Sequence, residues 1–89
     1  MKLKDDYIIY DASEEERIAV ATGDSAEQFN GLLRANKTAG DILGYLAEDI
    51  TEDELVAKML ERYDASEEEI RSGVSEVLET LRKVGALEE

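Results

Sequence analysis

The apolar residues of this chain change their period partway along it, and that change limits the folds open to it. Between Tyr7 and Thr22 two pieces, YIIYDA and RIAVAT, are rich in β-branched and aromatic residues and are separated by SEEE. Such runs, bounded by charge, predict two strands joined as a hairpin, with Gly23–Ser25 ending the second strand. From Lys37 onward the apolar residues recur at helical spacing. A first helix is expected over Thr38–Glu48, with Ile42, Leu43 and Leu46 on one face, Ala39 and Tyr45 beside them, and Asn36 or Thr38 as its cap. A second opens on a capping box, Thr51 with Glu54, and places Leu55, Val56, Met59, Leu60 and Tyr63 on one face. A third opens with Ser66 and Glu69. It carries Ile70, Val74, Val77, Leu78, Leu81 and Val84 toward Gly85 as its C-cap, with Leu87 packing back on the last turn. Between the two zones, the first half of FNGLLRANKTAG (Phe29–Gly40) fits neither period cleanly.

One hexapeptide, DASEEE, occurs at Asp11–Glu16 and again at Asp64–Glu69. By itself it signals a helix start. The second copy is followed by a 3.6-residue apolar pattern, so it starts a helix. The first is followed by the alternating RIAVAT and is expected to turn between strands; flanking context overrides the local signal.

Advancing about 100° per residue separates the faces of the third helix. Ile70, Val74, Val77, Leu81 and Val84 form the expected core stripe. Arg71, Ser75, Leu78 and Arg82 share one flank, and Glu69, Glu76 and Thr80 the other. Two arginines beside a leucine make a cationic-apolar strip suited to an acidic or amphipathic peptide. The ordinary alternative is pairing of Arg71 and Arg82 with Glu67, Glu68 or Glu79, worth only tenths of a kcal/mol. Gly73, inside the same helix, costs about 1 kcal/mol relative to Ala.

Composition now narrows function. The 89 residues make one expected domain, 1–89. With no Cys and no His, thiolate sites, disulfides, the usual general base and the commonest metal ligand are all missing, and no calcium-loop spacing is present. No bound cofactor or metal is expected. Paired carboxylates are inevitable among 23 acidic residues and carry no catalytic signal, so no enzyme activity is expected. A net charge of −13 repels nucleic acid and anionic membranes, and no apolar run approaches the roughly 20 residues of a membrane span. MKLKDDYIIY is not a signal peptide, and a cytoplasmic location follows as the expectation.

A hairpin, a third extended segment and three helices outline an α+β, winged-helix-turn-helix-like domain: a three-stranded antiparallel N-terminal sheet followed by three helices. Three blocks, Ile18–Leu43, Thr51–Ser66 and Val74–Leu87, resemble the PqqD family, the small chaperones and peptide-recognition elements of ribosomal peptide maturation. The sequence departs from the family pattern at Leu43, where a Trp is common, in AEDIT, which lacks a frequent Gly, and at Gly73, where an Asp is common. The resemblance implies a non-catalytic adaptor that binds the leader of a precursor peptide as an added strand, between the third strand and the third helix. It would present that leader to a modifying enzyme, often a radical S-adenosylmethionine enzyme. The implied edge strand is Phe29, Asn30, Gly31, Leu32, Leu33, Arg34 and Ala35; across the cleft stand Arg71, Val74, Ser75, Leu78 and Arg82. Which face of the strand is buried stays open, as does the choice between a monomer and a weak dimer through that edge.

Two other classes compete. GDS in a small acidic chain suggests an acyl or peptidyl carrier protein with Ser25 as the phosphopantetheine site, although strand-like sequence precedes it. A DNA-binding winged helix needs basic side chains where the third helix offers Glu67–Glu69 and Glu76.

Overall fold

The computed structural model describes residues 1–28 and 31–89. In chain order its elements are β1 (Lys2–Leu3), β2 (Tyr7–Ser13), β3 (Glu16–Ala21), α1 (Gly23–Gln28), β4 (Leu32–Asn36), α2 (Lys37–Tyr45), α3 (Glu52–Arg62), α4 (Glu67–Lys83) and β5 (Leu87–Glu88). Strands β2, β3 and β4 form an antiparallel sheet in that order, and the short β1 and β5 pair separately. This is the expected antiparallel sheet followed by helices.

The hairpin forms as its alternation dictates. Register runs from Tyr7 opposite Ala21 to Ser13 opposite Glu16, with an irregularity between Asp11 and Ser13. The first DASEEE copy is the turn, closed by the Ser13 hydroxyl oxygen accepting from the Glu15 N–H at 3.3 Å. The second copy starts α4: the Ser66 hydroxyl oxygen accepts from the Glu69 N–H at 3.1 Å. Identical hexapeptides therefore take different structures, because a strand follows one and an amphipathic helix the other.

Across the sheet, Ile9, Ala19 and Leu33 are in register on one face, and Ile8, Val20 and Leu32 on the other. The first face turns toward the helices, with Tyr7, Ala19, Ala21 and Ala35 buried; Ile8, Tyr10 and Leu32 stay exposed on the second. The small alanines let helices approach the strands closely. The core is then filled by Ile42, Leu43 and Leu46 of α2 and its C-cap, Leu55, Val56 and Met59 of α3, and Ile70, Val74, Leu78 and Leu81 of α4. Arg17, at the far end of β3, lies across α2 and donates from Nη1 to the Gly40 carbonyl at 2.8 Å. Gly40 leaves room for it, since a Cβ there would stand 3.2 Å from Arg17 Cδ.

The helix signals act largely as read. Asn36, rather than Thr38, caps α2, its Oδ1 accepting from the Ala39 N–H at 2.9 Å. The helix ends at Tyr45, short of the expected Glu48, with Leu46 as its C-cap. Thr51 and Glu54 form a reciprocal capping box at α3. Past α4, Gly85 takes a φ of 72°. The Gly85 and Ala86 N–H groups then donate to the Arg82 and Leu81 carbonyls at 3.1 and 2.8 Å, the Schellman closure a left-handed glycine allows.

Three elements depart from expectation. Gly23–Ser25 does not end the strand as a loop but opens α1, because Asp6 reaches in to cap it: its carboxylate accepts from the Ser25 N–H at 2.9 Å and the Ser25 hydroxyl at 2.6 Å. Those two bonds also hold the Asp6 carboxyl below its usual range. β1 and β5 pair Leu3 with Leu87, so Leu87 is buried as expected but as part of a two-stranded ladder. β1 is tied further by the Leu3 N–H donating to the Leu46 carbonyl at 2.9 Å and the Met1 ammonium to Asp49 at 2.6 Å. Two-residue strands show no period, so nothing in the sequence announced them.

Candidate peptide-binding groove

β4 lies at the edge of the three-stranded sheet, and among the described residues only β3 pairs with it. The strand runs Leu32–Asn36 rather than 29–35: Gly31 is a bend before it, and Phe29 and Asn30 lie outside the described residues. The asymmetry of its two faces answers the question of burial. Leu33 and Ala35 turn inward, whereas Leu32, at 49% exposure, and Arg34 turn outward. Arg34 lies 3.8 Å from Glu16 on the neighbouring strand.

Along the inward side of this edge runs a cleft of about 330 Å³. β4 forms one wall with Leu33 to Asn36, and α2 forms the floor with Thr38, Ala39, Ile42 and Leu43. The second wall is α4, through Gly73, Glu76, Val77, Thr80 and Leu81. The lining is mainly aliphatic, with Arg34, Asn36, Thr38, Glu76 and Thr80 as its polar members. An extended chain laid there meets a strand edge that has no second neighbour among the described residues, beside an apolar trough. That combination offers generic affinity through backbone hydrogen bonds and selectivity through side-chain contacts.

The α4 wall is not the flank expected. Arg71 and Ser75 line a separate shallow depression with Glu68, Ser72 and Glu79. Arg71 pairs with Asp53 of α3 at 3.0 Å and Arg82 with Glu89 at 3.0 Å. These hydrogen bonds raise both guanidinium pKa values further. Val74 and Leu78 are no part of any surface, at 1% and 0% exposure. The physical reason is a rotation of the buried stripe. Ile70, Val74, Leu78 and Leu81 are buried, whereas Val77 and Val84 are only partly covered. At about 100° per residue the stripe is centred toward Leu78, which swings the Glu76–Thr80 flank over the cleft. Helix α4 packs against both α2 and α3, and their placement sets that angle. Sequence reasoning thus missed Glu76, Val77 and Thr80 as cleft residues. The usable signal was the breadth of the apolar set from Ile70 to Val84, more than one neighbouring helix covers.

The competing sites fare differently. Ser25 is 5% exposed and its hydroxyl is bound to Asp6, so it is not displayed for attachment of a prosthetic arm. The first turn of α4 is Glu67, Glu68 and Glu69, which opposes docking against phosphates. Among the described residues no three His, Cys, Asp or Glu side chains converge as metal ligands, and no helix is long and apolar enough to cross a membrane.

The sheet, the helices and the β4 edge define a small α+β domain with a strand edge beside an apolar cleft. The family model described as Coenzyme PQQ synthesis protein D (PqqD) matches residues 10–87, and the chain belongs to that family. Among solved structures it is similar to TbiB1 in complex with the TbiA(beta) leader peptide. The TM-score is 0.79 at 17% identity, covering 99% of this chain and 95% of that one, a likeness of fold. No curated protein matches the chain in sequence.

Proposed function

We propose that this chain binds the leader segment of a ribosomally made precursor peptide as a strand added to the outer edge of β4. It then presents that peptide to a separate modifying enzyme without itself catalysing a reaction. The observation that carries the reading is the coincidence of the open β4 edge with the apolar cleft between β4 and α4. Membership of the PqqD family and a fold shared with a protein solved in complex with a leader peptide support it.

Strand addition fits the chemistry of the site. Alternate residues of the incoming strand face the cleft and meet Leu33, Val77 and the α2 floor. The others continue the outer face of the sheet beside Leu32 and Arg34. The edge-strand residues expected from the sequence, including Phe29 and Asn30, remain part of the proposal on the β4 side. On the α4 side the residues are Gly73, Glu76, Val77 and Thr80. The adaptor acts in the cytoplasm as a monomer or weak dimer, and a radical S-adenosylmethionine enzyme is the partner implied by the family resemblance.

The direct test uses synthetic peptides covering the N-terminal halves of short open reading frames beside this gene, titrated against the protein and followed by backbone amide NMR. Shifts confined to β4, α2 and the Gly73–Thr80 side of α4 are expected, with slowed amide exchange in β4. Shifts centred on Arg71, Ser75 and Arg82 would overturn the placement. Absence of binding by every such peptide would overturn the function.

A further inference from the structure

Gly73 has no structural reason to be glycine. It lies inside α4, and among the described glycines only Gly23 and Gly85 take a positive φ, so its backbone conformation suits any residue. Nor does packing exclude a side chain. A Cβ at Gly44 would fall 2.7 Å from Arg17 Nη1, whereas one at Gly73 meets nothing within 4 Å. A helix-interior glycine costs about 1 kcal/mol relative to alanine, and nothing inside the fold offsets it. Gly73 does border the cleft, on the same wall as Val77 and across from Leu33.

We propose that Gly73 opens a side-chain-sized recess in the α4 wall, which receives one bulky apolar residue of the bound strand and sets the size selectivity of the cleft. The inference rests on strand addition at β4 and adds the class of ligand: an extended peptide with a Leu, Ile, Met or aromatic side chain at one inward position. The surroundings argue for apolar character. Leu33, Ala39, Ile42 and Val77 line the cleft with Gly73, and the carboxylate of Glu76 disfavours an acidic occupant. Because strand side chains alternate, a single inward position meets the recess, with its neighbours two residues away facing the rest of the trough.

The test selects random twelve-residue peptides, displayed on mRNA, against the wild type, Gly73→Ala, Gly73→Leu and Leu33→Asp in parallel. Thermal melts confirm that each variant folds, and Gly73→Ala is expected to melt higher than the wild type. The wild-type pool should carry a large apolar residue at one fixed position, and the Gly73→Leu pool should carry Gly, Ala or Ser there with its flanks unchanged. A wild-type-selected peptide should bind Gly73→Leu about tenfold or more weakly, and Gly73→Ala to an intermediate degree, the scale of discrimination an occupied apolar pocket supplies. Equal binding to all three Gly73 forms, or the same residue enriched in both pools, overturns the recess. If Leu33→Asp still abolishes binding in that case, strand addition in the cleft survives. Peptides indifferent to Leu33→Asp overturn both. Should Gly73→Leu fail to fold, undiminished binding by Gly73→Ala alone rejects the recess.

Discussion

The two flanks of α4 start from similar material and end in opposite states. On one, Arg71 and Arg82 are engaged by Asp53 and Glu89, and Leu78 is sealed in the core. On the other, Val77 is only partly covered, Gly73 has empty space where a side chain would stand, and both border the open β4 edge. The arginine flank looks like a binding surface in a linear sequence, since cations are scarce in a chain of net charge −13. In the fold each of these cations has a carboxylate partner, Asp53 for Arg71 and Glu89 for Arg82, and neither lines the cleft beside β4. The flank of Gly, Glu, Val and Thr carries no such label, and it is the one that lines the cleft beside β4.

Leu78→Ala should have the largest effect. Truncating a fully buried leucine is expected to cost about 2–5 kcal/mol, read from chemical denaturation, whereas Val77→Ala should cost clearly less. Equal losses would mean that α4 is rotated away from the angle described. Next, Val77→Glu should leave the far-ultraviolet circular dichroism intact while weakening peptide binding about tenfold or more, since it buries a charge in an apolar cleft. Gly73→Ala should stabilise the fold by about 0.5–1 kcal/mol, because it removes glycine's entropy without a clash. Arg71→Glu combined with Arg82→Glu should leave the denaturation midpoint nearly unchanged, because both pairs are solvent-exposed, and leave peptide affinity at physiological salt within about twofold. A collapse of affinity there would reverse the assignment of the two flanks.

The smallest effect concerns proton binding on the closed flank. Hydrogen bonds from Arg82 hold the Glu89 carboxyl below its usual range. A carboxylate depressed in the folded state contributes stability above its unfolded pKa and loses it as pH falls through the lower folded value. Carbon-detected NMR titration should find Glu89 titrating below an ordinary glutamate, and Arg82→Gln should return it upward. An unchanged titration would show the pair to be open in solution.

Legibility followed the length scale of each signal. Caps are local: Thr51 with Glu54, and Ser66, act where the sequence places them, and Asn36 is one of the two caps it offers for α2, because each bond closes within three residues. The hairpin was readable since register follows from alternation and a two-residue turn. α1 was not, because its cap comes from Asp6, across the hairpin and 19 residues away. The β1–β5 ladder joins the two ends of the chain through strands too short to show a period. On β4, alternation allowed two burials of the same strand, and only packing against α2 chose Leu33 and Ala35.

By itself, then, the sequence determined the order of the hairpin, the third strand and the three main helices, the capped starts of α3 and α4, the C-terminal glycine stop and the resemblance to the PqqD family. These depend on periodicity and on bonds spanning a few residues. Tertiary structure alone decided which flank of α4 faces β4 and which closes on α3. The apolar set from Ile70 to Val84 covers a wider arc than its neighbours bury, and a helix with apolar surface to spare turns until its largest side chains are covered. Here Leu78 was covered, and Val77 and Gly73 were left at the groove.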